Sequence, residues 1–172
     1  MNDISHLRMH KQKFRHLPDE GVFGDCYRTC IACLLMLDPE DVPHEHRQMG
    51  AEEFVAFYRG WLHDHGIHRL VIPLATQSVE EALRTAEIFS DGVPYIFLGT
   101  SRTGVNHAVI GHDGAIVHDP SLTDAGIIGP CDDGYFWVEW LVSPAWSQAA
   151  RPSAGPAGGQ PPAGGEQAVR QS

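Results

Sequence analysis

Gly24-Asp25-Cys26-Tyr27-Arg28-Thr29-Cys30-Ile31-Ala32-Cys33-Leu34-Leu35-Met36-Leu37 and, far downstream, Asn106-His107-Ala108-Val109-Ile110-Gly111-His112-Asp113-Gly114-Ala115-Ile116-Val117-His118-Asp119-Pro120 decide the reading of this chain. In the first stretch, positions 26, 30, 33, 34 and 37 are apolar. That is helical spacing with one buried stripe. Asp25 suits the N-cap, and Asp38-Pro39 ends the helix, because the residue before a proline is pushed out of helical geometry. In the second stretch, two short apolar runs flank His112-Asp113-Gly114, the pattern of a β-hairpin. A thiol in the first turn of a helix thus precedes a histidine and an aspartate on paired strands.

Working outward, a second helix is predicted from about Ala51 to Leu62, with Ala51, Phe54, Val55, Tyr58, Trp61 and Leu62 facing inward and Gly66 as a stop. Arg69 to Leu74 reads as a strand. Ser78 and Glu81 have the spacing of a capping box for a third helix reaching about Phe89. Tyr95 to Gly99 and Tyr135 to Val142 are further strands. Helices come first and antiparallel strands later, so the fold class is α+β. Residues 1–146 read as one domain, opening on an arm or loop over 1–22. Residues 147–172, rich in Pro, Gly, Ala and Gln, read as a disordered tail. Its Gly158-Gly159 and Gly164-Gly165 pairs fit a flexible linker.

Of 172 residues, 12 are Lys or Arg and 22 are Asp or Glu, a formal net charge of -10. Binding to nucleic acid is driven by counterion release against Lys and Arg, so no nucleic-acid partner is expected. No apolar run is long enough to span a bilayer, and the polar N-terminus does not resemble a signal peptide. Four cysteines, three of them within one predicted helix, do not form the framework of a secreted disulfide scaffold. A cytoplasmic protein with reduced thiols is the expectation.

A cysteine attacks as its thiolate, and a helix N-terminus favours that anion through its dipole and unpaired N–H groups. Cys26 stands there, and its own N–H can face a developing oxyanion. Cys30 and Cys33 read as core packing. The spacing Cys26-x3-Cys30-x2-Cys33 also resembles the iron–sulfur motif of radical enzymes. That motif needs a flexible loop, whereas this segment reads as helix and Ala32 stands where an aromatic is usual. Eleven histidines include the groups His44/His46 and His63/His65/His68, but none has the i, i+4 spacing of a helical metal pair. Neither a metal nor a cofactor is expected.

A three-residue loop, His112-Asp113-Gly114, would set His107 directly opposite Asp119, with Cβ atoms about 4.5–5.5 Å apart. A two-residue Asp-Gly turn would shift the register by one and put the two on opposite faces. The catalytic reading therefore predicts the longer loop. Asp119 would fix the imidazole, and His107 would move the proton. Thr100 to Val105 would form a lip of the cleft, with Arg102 available to an acidic substrate group.

The helix start Gly-Asp-Cys-Tyr-Arg-Thr-Cys, the strand His-Ala-Val-Ile-Gly and the later His-Asp-Pro resemble the papain-like cysteine peptidases. Nearest are the bacteriocin-processing, double-glycine leader peptidases and their bacterial and phage relatives. The resemblance spans roughly Gln12 to Pro120, with Tyr27 where those proteins usually carry glycine. It implies a papain-like fold with the nucleophile helix packed on an antiparallel sheet. It further implies Cys26 as nucleophile, His107 as general base and acid, Asp119 as orienting carboxylate, and Gln12 as oxyanion donor. The implied substrate is a peptide or protein amide, without cofactor. The competing reading is a catalytically inactive papain-like domain acting as a binding module.

Overall fold

The computed structural model describes residues 3–144; the tail assigned to 147–172 lies outside them. The elements run α1 Cys26–Leu35, α2 Ala51–Asp64, β1 His68–Leu74, α3 Val79–Ser90, β2 Tyr95–Thr100, β3 Asn106–His112, β4 Ala115–His118 and β5 Phe136–Val142. The strands form one antiparallel sheet in the order β1-β5-β2-β3-β4. The class is α+β, with each element within a few residues of its expected span.

The middles of β2 and β3, Tyr95 to Leu98 and Ala108 to Ile110, are apolar because both sheet faces are covered. Successive side chains point to opposite faces. Ile96, Ala108 and Ile110 pack with α1 and α2, while Tyr95, Phe97 and Val109 pack with α3 and the inner residues of β5. The space on the α3 side is tight at Gly111, where an added Cβ would come within 2.2 Å of the Tyr95 ring.

α1 departs from the one-stripe expectation. Every residue from Tyr27 to Cys33 is buried, because the sheet lies on one side and α2, the loop at Val42 and the N-terminal arm enclose the rest. The helix also stops early. Met36 takes a left-handed conformation (φ 58°), and its N–H caps the carbonyls of Ala32 and Cys33, two residues before Asp38-Pro39. On α2 the buried residues are Tyr58 and Leu62, joined by Phe54, Phe57 and Trp61; Val55 is exposed, and Phe57 takes its place. At α3 only half of the capping box forms. Ser78 Oγ accepts from the Glu81 N–H at 3.2 Å, while the Glu81 carboxylate accepts from Thr76 Oγ1 at 2.7 Å.

A buried polar junction fixes α1 on the sheet. Tyr27 Oη donates to Glu139 Oε2 at 2.6 Å, and the Arg69 guanidinium binds both oxygens of the same carboxylate. The Arg69 and Glu139 side chains are 8% and 5% exposed, so the pair is shielded from water. Removing one partner of such a pair leaves an uncompensated charge. Arg69→Met is expected to lower unfolding free energy by about 3–5 kcal/mol in urea titration, and adding Glu139→Gln to recover part of that loss.

Candidate active site

Asp113 (φ 48°) and Gly114 (φ 72°) are both left-handed, and β3 and β4 are joined by these two residues alone. This is the two-residue hairpin turn whose twist matches the strands, not the three-residue loop expected above. His112 pairs with Ala115 and Gly111 with Ile116. The register then shifts. Ile110 pairs with His118, and Val117 is left without a partner as a β-bulge. The turn displaces the register by one residue, and the bulge displaces it again, so His107 and Asp119 return to the same side. They are diagonal neighbours rather than directly opposed, and they meet: His107 Nε2 lies 2.8 Å from Asp119 Oδ1.

The carboxylate is held from three directions. Besides the ring, Asp119 Oδ1 accepts from the Ser121 N–H and Oδ2 from the Gly126 N–H, both at 2.8 Å. Gly126 reaches it with φ 63°, a conformation that favours glycine. Burial opposes the Asp119 charge, but the His107 bond and the two backbone N–H groups outweigh it and hold the carboxyl at about 2. Lys11 Nζ braces the same segment through the carbonyls of Asp119 and Ser121, each at 2.9 Å, and Asp124 Oδ1 at 2.8 Å.

Cys26 is half-buried at the start of α1, close enough to His107 for its sulfur to act on the charge of the ring. Since Nε2 faces Asp119, Nδ1 is the ring atom left for sulfur. Burial disfavours the imidazolium. The Cys26 sulfur and the Asp119 carboxylate more than offset this and raise His107 to about 9. Burial raises Cys30 well above the ordinary thiol range, raises Cys33, and takes Cys131 to about 12.

Cys26 and His107 share one cleft of about 300 Å³, whose walls also include Gln12, Arg15, Asn106 and Ser121. Gln12 is thus brought to the site despite its distance in sequence. Its N–H donates to the Pro120 carbonyl at 2.7 Å and its Nε2 to the Phe14 carbonyl at 2.8 Å, while Oε1 is buried without a partner. Tyr27, bonded to Glu139, is not part of the cleft wall. Ser101, Thr103 and Val105 supply the expected lip. Arg102 does not: its guanidinium donates to the Asp124 carbonyl. The cation at the cleft is instead Arg15, whose position in an irregular arm carries no periodic signal. The histidine groups have other partners. His44 and His46 pack around the Phe14 ring, His63 stacks on His68, and His65 Nδ1 donates to the Trp61 carbonyl.

No family model, curated protein or solved structure matches the chain.

The two shifts give a pH dependence. His107, raised from 6.5, contributes stability that is complete below about pH 6.5 and lost as the pH rises through about 9. Asp119, lowered from 3.8, contributes stability present above about pH 4 and lost as the pH falls through about 2. Stability from this pair is therefore greatest between about pH 4 and 6.5. NMR titration of the His107 ring is expected to show a midpoint near 9 in the native chain, and a lower one in both Cys26→Ala and Asp119→Asn.

Proposed function

We propose that this chain is a papain-like cysteine hydrolase that cleaves peptide or protein amides through a thioester at Cys26. The observation that carries the reading is that Cys26 and His107 line one accessible cleft, with the His107 ring bonded behind it to the Asp119 carboxylate. Each link has a chemical task. The Asp119 carboxylate holds the His107 ring in one orientation and offsets its positive charge. The proton of the Cys26 thiol passes to Nδ1, and the thiolate attacks the amide carbonyl carbon. The carbonyl oxygen becomes the oxyanion. Nearby donors are the Cys26 N–H, which as a first-turn helix N–H has no intrahelical acceptor, and the second hydrogen of Gln12 Nε2. Collapse breaks the C–N bond, with the proton on His107 passing to the leaving amine. Water then attacks the thioester, His107 takes its proton, and the acid is released as the thiol re-forms.

The same set of groups serves peptide bonds, isopeptide bonds and carboxamide side chains. Four unpaired thiols, one of them needed as the thiolate, suit a reducing cytoplasm.

Iodoacetamide labelling followed by mass spectrometry is expected to modify Cys26 well before Cys30, Cys33 and Cys131. His107→Ala should slow that reaction by about 10²–10⁴-fold. p-Nitrophenyl acetate should leave an acetyl group on Cys26. Slow, unselective labelling of all four thiols would overturn the hydrolase and leave the binding module.

A further inference from the structure

Asp25 precedes the nucleophile, yet its side chain does not cap the helix. The carboxylate is fully enclosed and turned toward the N-terminal arm. Oδ1 accepts from the Phe14 N–H at 2.8 Å and from the Lys13 N–H at 3.0 Å. Oδ2 lies 3.3 Å from the same Lys13 nitrogen and 3.4 Å from Nη2 of Arg28, whose side chain is 7% exposed. The Asp25 carbonyl, for its part, accepts from both the N–H and the Oγ1 of Thr29, at 2.9 and 2.8 Å. Asp25 is therefore rigid on the helix side and bound to two successive peptide groups on the arm side.

Gln12 is one of the arm residues in the cleft wall, with Arg15, His16 and Leu17, and the one that carries a carboxamide. Its side-chain Nε2 is anchored on the carbonyl of Phe14, the residue whose N–H Asp25 holds. Gln12 Oε1 has no partner, so the bond to the Phe14 carbonyl is the one hydrogen bond that places the amide. A buried orphan acceptor works against the conformation that holds it, and an external clamp must keep it there. Asp25 is not part of the cleft wall. Burying a bare carboxylate beside a thiol that must ionise is unfavourable twice over, and the Arg28 ion pair offsets that charge. We infer that Asp25, neutralised by Arg28, is a positioning residue: it sets the Gln12 amide against Cys26 and so governs oxyanion support without touching substrate.

This rests on the hydrolase reading for its chemical consequence, and the test separates the two. Two probes of Cys26 differ in what they need. Acylation by p-nitrophenyl acetate passes through an oxyanion, whereas alkylation by iodoacetamide does not. Asp25→Asn should lower the acylation rate at least about tenfold, toward the loss given by removing one oxyanion donor, with alkylation unchanged. In a Gln12→Ala background the same substitution should cost nothing further. Amide hydrogen exchange should show protection lost at Lys13 and Phe14. Since Asp25→Asn leaves Arg28 unpaired, Asp25→Asn/Arg28→Gln is the companion variant if the single one does not fold, with the same results expected. Acylation and alkylation falling in step, additive losses with Gln12→Ala, or undisturbed exchange at Phe14 would each overturn the inference. If native Cys26 is alkylated but never acylated, the hydrolase reading fails. Hydrogen exchange then decides the clamp alone: lost protection upholds it, and retained protection ends it.

Discussion

The contact on which the arrangement depends is the bond between His107 Nε2 and Asp119 Oδ1. Three separate parts of the chain converge on that carboxylate: β3 through His107, the loop after β4 through Ser121 and Gly126, and the N-terminal arm through Lys11 on the Asp119 backbone. An aspartate with two backbone N–H donors stays ionised far below neutral pH, which leaves it as a fixed anion against the ring. A ring so held has one nitrogen committed, and it shares the cleft wall with the Cys26 sulfur. Ring, carboxylate and loop are thereby coupled: loosening the Ser121–Gly126 loop releases the carboxylate, and a released carboxylate frees the imidazole.

Much of this was legible in the sequence. Local periodicity and flanking Gly, Pro and Asp residues placed all three helices and all five strands, because apolar runs mark the buried middles of β2 and β3 and flank the buried Glu139 of β5. The hairpin shows where local reasoning stops. Asp113-Gly114 is a strong two-residue turn signal, and it won over the longer loop that catalysis was thought to require. The choice between those two alternatives was incomplete. A bulge four residues away restores what the turn takes, and Val117, an ordinary β-branched residue, carries no mark of it. Parity between two side chains is set by the whole ladder, not by the turn.

Asp25 was misread for a related reason. As an acidic residue before an apolar helical run it has the composition of an N-cap, worth about 1 kcal/mol when formed. The competing use gives the carboxylate two N–H donors and an arginine in a buried setting, where charge-assisted bonds are stronger. Tertiary demand overrode the local motif. The arm itself, and with it Arg15 at the cleft and Lys11 under Asp119, has no periodic pattern, so nothing short of the folded chain could reveal its course.

The burial of α1 sets Cys26 apart from the other two thiols of the helix. Cys26, Cys30 and Cys33 lie on one helix within three turns, with the same chemistry available to each. A helix enclosed on all sides offers a substrate nothing along its length; Cys30 and Cys33 are wholly buried, and burial drives both thiols toward the protonated form. At the N-terminal end the enclosure stops. There the first-turn N–H groups lack helical acceptors, the dipole is positive, and the cleft opens beside the His107 ring. The packing that makes α1 the centre of the core thus also leaves Cys26 as the one thiol of that helix at the cleft. The N-terminal arm brings Gln12 to that end, and the buried Asp25 carboxylate ties the arm down at Lys13 and Phe14.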